Sequence, residues 1–283
     1  MTDQKKICSE SLCFDEIGYW SEVKLDIVKE YAKVYTTILS KRRLKFFYID
    51  GFAGSGVHLS KSSNEFVPGS PLNALNIKPS FHEFFLVDLD GDKTDQLRSF
   101  PAVRERPEVH VIHGDCNHVL LHGVFPKVKY EDYRRALCVL DPYGLHLNWE
   151  VIQTAGQMKS IDLFLNFPIM DMNRNSLWSR PERVSEEGRA RMTAFWGDES
   201  WRAAAYRPKQ TLFGEEDEKQ DNKHVVKAFR ERLKSVAGFE HVPEPLPMRN
   251  SNKADVYYLF FASQKPVASK IIQHHYCPNV DVG

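Results

Sequence analysis

The sequence predicts a doubly wound α/β fold, and three observations predict it. Five short apolar runs read as strands: LKFFYID (44–50), EFFLVD (83–88), VHVIHGD (109–115), ALCVLD (136–141) and IDLFLNF (161–167). Helix-like or turn-rich connections separate them, and strands alternating with longer crossovers imply a mainly parallel sheet covered on both faces. The first four runs each end in aspartate, at the strand ends where an open α/β sheet takes its ligand.

Ahead of the first strand, WSEVKLDIVKEYAKVYTTILSKRR (20–43) sets Leu25, Val28, Tyr31, Tyr35, Ile38 and Leu39 at helical spacing, with basic residues crowding its end. Ser21 is placed to cap it, but Lys24 stands where a capping box needs glutamate. LKFFYID is apolar, aromatic and stopped by Gly51, as a buried strand is. After Pro168 the chain turns polar. Residues 170–224 hold Trp178, Trp196 and Trp201, expected as anchors of a small subdomain core or else as a lid or partner surface. They also hold the charge run GEEDEKQDNK (214–223), expected as a solvated loop or a helix start. A helix follows in KHVVKAFRERLKSV (223–236). FEHVPEPLPMRN (239–250) carries prolines 243, 245 and 247, which confine it to a sheet edge, and VYYLFFAS (256–263) reads as a strand, so that the two form an antiparallel hairpin. Four pieces result: a helical lead-in (1–43), a ligand-binding core (44–169), a Trp-containing insert or lid (170–224), and a final helix with strands completing the sheet (225–283).

Composition narrows the function classes. Among 283 residues, 38 lysines and arginines balance 38 aspartates and glutamates, so the chain lacks the field that drives non-specific binding to nucleic acid or anionic membrane. The hydrophobic fraction of 42 % is ordinary for a globular protein, and no apolar run approaches the roughly 18 residues that span a membrane. The first residues, MTDQKKICSE, have no apolar core after their lysines, so a cytoplasmic protein without a secretory signal is expected. Five cysteines (8, 13, 116, 138 and 277), an odd number without a CxxC pair, indicate neither a disulfide framework nor a zinc knuckle. Cys138 reads as a small core residue. HVIHGDCNHVLLH gathers His110, His113, Cys116, His118 and His122, but His110 and His113 are three apart on a strand and face opposite sides, so no metal site is expected. His274, His275 and Cys277 are read as surface.

The candidate ligand loop is FYIDGFAGSGV, with glycines 51, 54 and 56 directly after the first strand. Its spacing fails the dinucleotide fingerprint, and Val57-His58 follows Gly56 where a P-loop needs Lys and Ser or Thr. Asp50, just before the loop, suits a ligand with a cationic amine, and S-adenosylmethionine fits that description. Asp88 is placed to accept ribose hydroxyls, with Asp90 able to share or take that role; Asp115 suits an adenine amino group; Asp141 points to where a reacting group would lie.

In order, IDGFAGSG, VDLD, HGD and DPYG resemble the cofactor and target motifs of class I S-adenosylmethionine-dependent methyltransferases. Together with KLDIVKEYAKVY, LDPYGLHLNW, IDLFLNFPIMDMNRN, FWGDESW and YYLFFAS, they resemble the three-Cys-motif partner proteins, over about residues 15–275. The resemblance implies a Rossmann-like class I methyltransferase fold, with a mainly parallel seven-stranded sheet, helices on both faces and a C-terminal antiparallel hairpin. It implies S-adenosylmethionine as cofactor, held by Asp50, Gly51, Phe52, Gly54, Gly56, Asp88, Asp90, Asp115 and Cys116. As partner it implies a protein with three cysteines that looks like a radical S-adenosylmethionine protein. No acceptor follows from it.

DPYG also resembles the (Asp/Asn)-Pro-Pro-(Tyr/Phe) motif of amino-methylating enzymes, in which the acid holds the amine and the ring stacks on it. Asp141 and Tyr143 take the two roles, with Pro142, Asn166 and Pro168 on the substrate side and Asp171, Asn173 and Arg174 nearby. One proline is missing, and the tetrapeptide also reads as a good β-turn. The leading reading is a methyltransferase with an unidentified acceptor. The alternatives are a non-catalytic module that docks a partner or senses the cofactor, and a DNA N6-adenine methyltransferase, which the zero net charge and the absent proline oppose.

Overall fold

The computed structural model describes residues 6–9, 12–211, 214–250 and 252–266; His274, His275 and Cys277 lie outside the described residues. Seven strands form the central sheet: β1 (Lys45–Asp50), β2 (Glu83–Asp88), β3 (Val109–His113), β4 (Arg134–Leu140), β5 (Ile161–Phe167), β6 (Leu246–Arg249) and β7 (Asp255–Ala262). Their order is β6-β7-β5-β4-β1-β2-β3. The five strands β1 to β5 run parallel. β7 is antiparallel to both β5 and β6, so the C-terminal hairpin extends the sheet at one edge.

Alternation along the strands builds two cores. Phe47, Ile49, Phe85 and Val87 point to one face, and Phe46, Tyr48, Phe84 and Leu86 to the other. The second face is covered by α1 (Tyr19–Lys41), α2 (Ser70–Leu75) and Leu97 of α3 (Gly91–Ser99). The first is covered by α4 (Trp149–Gln157), α6 (Glu186–Trp196) and α7 (Asn222–Ser235), with α5 (Ile169–Asn175) entering directly from β5. Phe229 of α7 is the hub there: its ring lies 4.6 Å from Phe167, 5.4 Å from Trp196 and 5.4 Å from Phe260.

Four expectations are corrected. Gly18, not Ser21, is the N-cap of α1; its extended backbone presents a carbonyl to the amides of Ser21 and Glu22, so the helix opens two residues before Ser21. The lead-in is not all helical. Lys6–Ser9 and Leu12–Ile17 are strands that join Val57–Ser60 and Phe66–Pro68 in a small four-stranded sheet, and the pairing of Leu12–Ile17 with Val57–Ser60 spans too much sequence to show in local composition. The charge run is neither loop nor helix start through most of its length. Gly214–Lys219 is a strand paired with Tyr206–Thr211, where Glu218 faces Arg207 and also meets Lys209, so cross-strand charge pairing stands in for apolar burial. Trp196 and Trp201 are buried in the same core as the sheet rather than in a subdomain core of their own, because α6 and α7 pack directly on it. Among the described residues no helix is long and apolar enough to cross a membrane.

Candidate active site

In the order β3-β2-β1-β4-β5, the chain leaves β1 first to one side and later to the other, so the loop after β1 lies at the switch point of the sheet. Gly54 and Gly56 hold φ of +63° and +85°, left-handed values that cost glycine little. The glycines differ in purpose. A Cβ on Gly51 would lie 2.7 Å from both Cys116 Sγ and Leu140 Cδ2, and one on Gly56 2.7 Å from Leu97 Cδ1, so these two permit close packing of protein on protein. A Cβ on Gly54 would meet nothing within 4 Å, so this backbone is open to a ligand.

Asp88 holds the loop. It is 4 % exposed; Oδ2 accepts from the Gly54 amide at 2.7 Å and Oδ1 from the Asp90 amide at 2.9 Å. Asp90 caps α3, accepting from the amides of Asp92 at 3.0 Å and Lys93 at 3.2 Å. Asp50 is 0 % exposed and sits beneath the loop, accepting from the Phe52 amide at 3.2 Å and the Tyr48 hydroxyl at 3.3 Å. Burial pushes its carboxyl up to about 6, against the hydrogen bonds from Ser70 and Phe52. Asp115 lies past the end of β3, exposed, and caps the short helix that follows by accepting from the Asn117 amide at 3.0 Å. Cys116 is buried against Gly51, and burial raises its thiol pKa.

Across β4, Asp141 forms an ion pair with Lys24 of α1. Burial, the largest single influence, opposes the charge on Lys24, but Asp141, Tyr257 and Tyr143 together outweigh it and raise the lysine's pKa. The Tyr143 hydroxyl accepts from Lys93 Nζ at 3.2 Å and donates to Asp15 at 3.4 Å, while Lys93 pairs with Asp15 at 2.7 Å. The N-terminal strand, α3 and the Asp141-Pro142-Tyr143 turn are thereby tied together over the switch point. Asn166, one residue before the end of β5, is 9 % exposed, and its Oδ1 is buried with no partner among the described residues. Asn173 instead bonds Asn222 at 2.9 Å and Lys219 at 2.6 Å.

A cleft of about 1240 Å³ gathers Phe52, Gly54, Asp90, Asp141, Pro142, Tyr143, Asn166 and Pro168, together with Asp171 and Arg174. Asp50, Gly51, Gly56, Asp88, Asp115 and Cys116 are not among its lining residues. Its volume exceeds the roughly 300–1,000 Å³ of a site for one small molecule, leaving room for two reactants. Asp15, Lys24, His58, Lys93 and Arg191 also line it, and sequence reasoning missed all five. His58 follows the glycine loop directly, which is a signal of a kind. Its Nδ1 is buried with no partner among the described residues, and burial lowers its pKa, with Asp15 and Asp141 opposing and Lys24 and Lys93 assisting.

No family model matches the sequence, and no curated protein does. Solved structures do match by shape. A Legionella pneumophila protein of the DUF519 family aligns with TM-score 0.50 and 13 % identity over 90 % of this chain and 93 % of that one. Trm1 from Pyrococcus horikoshii, in complex with S-adenosyl-L-methionine, aligns with TM-score 0.46 and 10 % identity over 94 % of this chain and 63 % of that one. The N-terminal domain of EvdMO1, solved in the presence of SAH and D-fucose, aligns with TM-score 0.42 and 10 % identity over 84 % and 82 %. The order β3-β2-β1-β4-β5-β7-β6, with β7 alone antiparallel, is the Rossmann-like methyltransferase fold.

Proposed function

We propose that the chain is an S-adenosylmethionine-dependent methyltransferase acting on an unidentified acceptor, with a three-cysteine protein of the kind its family resemblance implies as partner. One observation carries the reading: the open Gly54 backbone, fixed by Asp88, shares a cleft with the Asp141-Pro142-Tyr143 turn. The residues fit the cofactor. Gly54 offers an uncovered backbone, Asp90 a carboxylate at the cleft wall for the ribose, and Asp115 an exposed carboxylate beyond β3 for the adenine. Asp50 and Asp88, both buried, act by holding the loop in shape, with Gly51, Gly56 and Cys116 packed behind it.

S-adenosylmethionine supplies a methyl carbon on a sulfonium, already activated for displacement. The protein's share is alignment and removal of the acceptor's proton. Asp141, paired with Lys24, and Tyr143 orient the acceptor from one side. Asn166 offers its unpartnered Oδ1 to an N–H or O–H, and Pro142 and Pro168 shape the wall. His58, held neutral by burial, is the base on the same cleft.

The test is calorimetric titration with S-adenosylmethionine and S-adenosylhomocysteine on wild type and Asp88→Ala, with NADH and ATP as controls. Binding of the first two, weakened about tenfold or more by the substitution, is expected. Failure of the wild type to bind either sinks the reading for the isolated chain. Binding without transfer of labelled methyl to any acceptor, with the partner present, would favour the non-catalytic module.

A further inference from the structure

The carboxylates around the cleft are engaged. Asp15 pairs with Lys93 at 2.7 Å, Asp141 with Lys24, and Glu16 lies 3.7 Å from Lys61. Asp171 accepts from Asn175 Nδ2 at 2.8 Å. Two cations on the same wall have no such match. Arg174 of α5 has no acidic side-chain partner among the described residues. Arg191 of α6 has only Glu187, 3.6 Å away and 79 % exposed, a solvated contact of little strength. The Arg191 Nε is buried with no hydrogen-bond partner among the described residues.

The two arginines flank one helix crossing. A Cβ on Gly188 would come within 2.4 Å of the Asn175 carbonyl oxygen, and Ser176 Oγ donates to the Gly188 carbonyl at 2.9 Å. Arg174 immediately precedes Asn175, and Arg191 stands one turn after Gly188. Asp171, one turn before Arg174, lies against Gly144, where a Cβ would be 2.7 Å from its Oδ2, so the crossing abuts the turn that carries Asp141.

We infer that the methyl acceptor carries an anionic group, a carboxylate or a phosphate, received by Arg174 and Arg191; this rests on the methyltransferase reading. A guanidinium is planar, stays charged and presents paired N–H donors to such oxygens, and a buried unpaired Nε–H is a donor in want of an acceptor. A chain of zero formal charge has no net field that favours a long polyanion, and the anionic group is tested as that of a small acid.

The probes are inorganic phosphate and acetate, titrated into the full chain with S-adenosylhomocysteine present while the arginine Nε–Hε resonances are followed by NMR. The Arg191 resonance is expected to shift to saturation with at least one anion, and the anion that binds tighter identifies the group. Arg174→Gln weakens that binding about tenfold, and Lys209→Gln, on the outer hairpin, leaves it unchanged. A shift that never saturates, or equal binding in Arg174→Gln, overturns the inference. Calorimetry with S-adenosylhomocysteine on the same sample separates the two failures: cofactor binding without anion binding removes only this inference, and anion binding without cofactor binding removes the methyltransferase reading and with it the assignment of the anion to a methyl acceptor.

Discussion

At Asp50 a carboxyl with no solvent contact ends β1 beneath the glycine loop. Its pKa, pushed up to about 6 by burial, lies above the roughly 3.9 of an unfolded aspartate. Between those values the folded chain keeps a proton that the unfolded chain has released. Stability from this group therefore falls as pH rises from about 4 to about 6 and is level above that, a loss of about 3 kcal/mol. Wild type should lose about that much more than Asp50→Asn between pH 4 and pH 7, as read by urea unfolding at both values. Parallel pH profiles for the two proteins would show that the carboxyl is not held in this way. The same burial explains why a strand-end aspartate is an ambiguous sign in a sequence. Asp50 and Asp141 both follow apolar strands, yet one is sealed under the loop and the other meets Lys24 at the cleft.

Among the elements, the crossing of α5 and α6 sets the width of the cleft's far wall. Gly188 makes it possible. Alanine there would gain about 1 kcal/mol of helix propensity but bring a Cβ within 2.4 Å of the Asn175 carbonyl, a backbone atom that cannot step aside. Overpacking of this kind costs about 1–3 kcal/mol, so Gly188→Ala should be less stable than wild type by thermal unfolding. An equal or higher melting temperature would mean that the helices do not approach so closely. The main strands and the two long helices are legible in sequence because apolar periodicity is a local property. The outer hairpin and the small N-terminal sheet are not. Their strands are short or charged, and so lack the apolar alternation by which a strand is read.

For the whole molecule, a sheet buried on both faces brings three distant segments to one cleft: the N-terminal strand with α1, the strand ends of β1, β2, β4 and β5, and the α5–α6 wall. A ligand that binds only the folded arrangement must stabilise it. S-adenosylhomocysteine at about 100 times its Kd should add about 2.7 kcal/mol and raise the melting temperature by about 5 °C in differential scanning calorimetry. No shift at saturating concentration would contradict a cofactor site in the cleft.

Strand positions, the glycine loop at the end of β1 and the run of carboxylates at successive strand ends follow from residues adjacent in the chain, where alternation, turn chemistry and composition act over a few positions. Which of those carboxylates faces the cleft does not. It depends on Asp88 reaching back to the Gly54 amide, on Lys93 reaching Asp15 across 78 positions, and on Lys24 reaching Asp141 across 117. Ion pairs and orphaned donors are properties of distance in space. Lys24, His58 and Arg191 became visible only when packing of the sheet and its helices removed water from around them and brought them onto one wall.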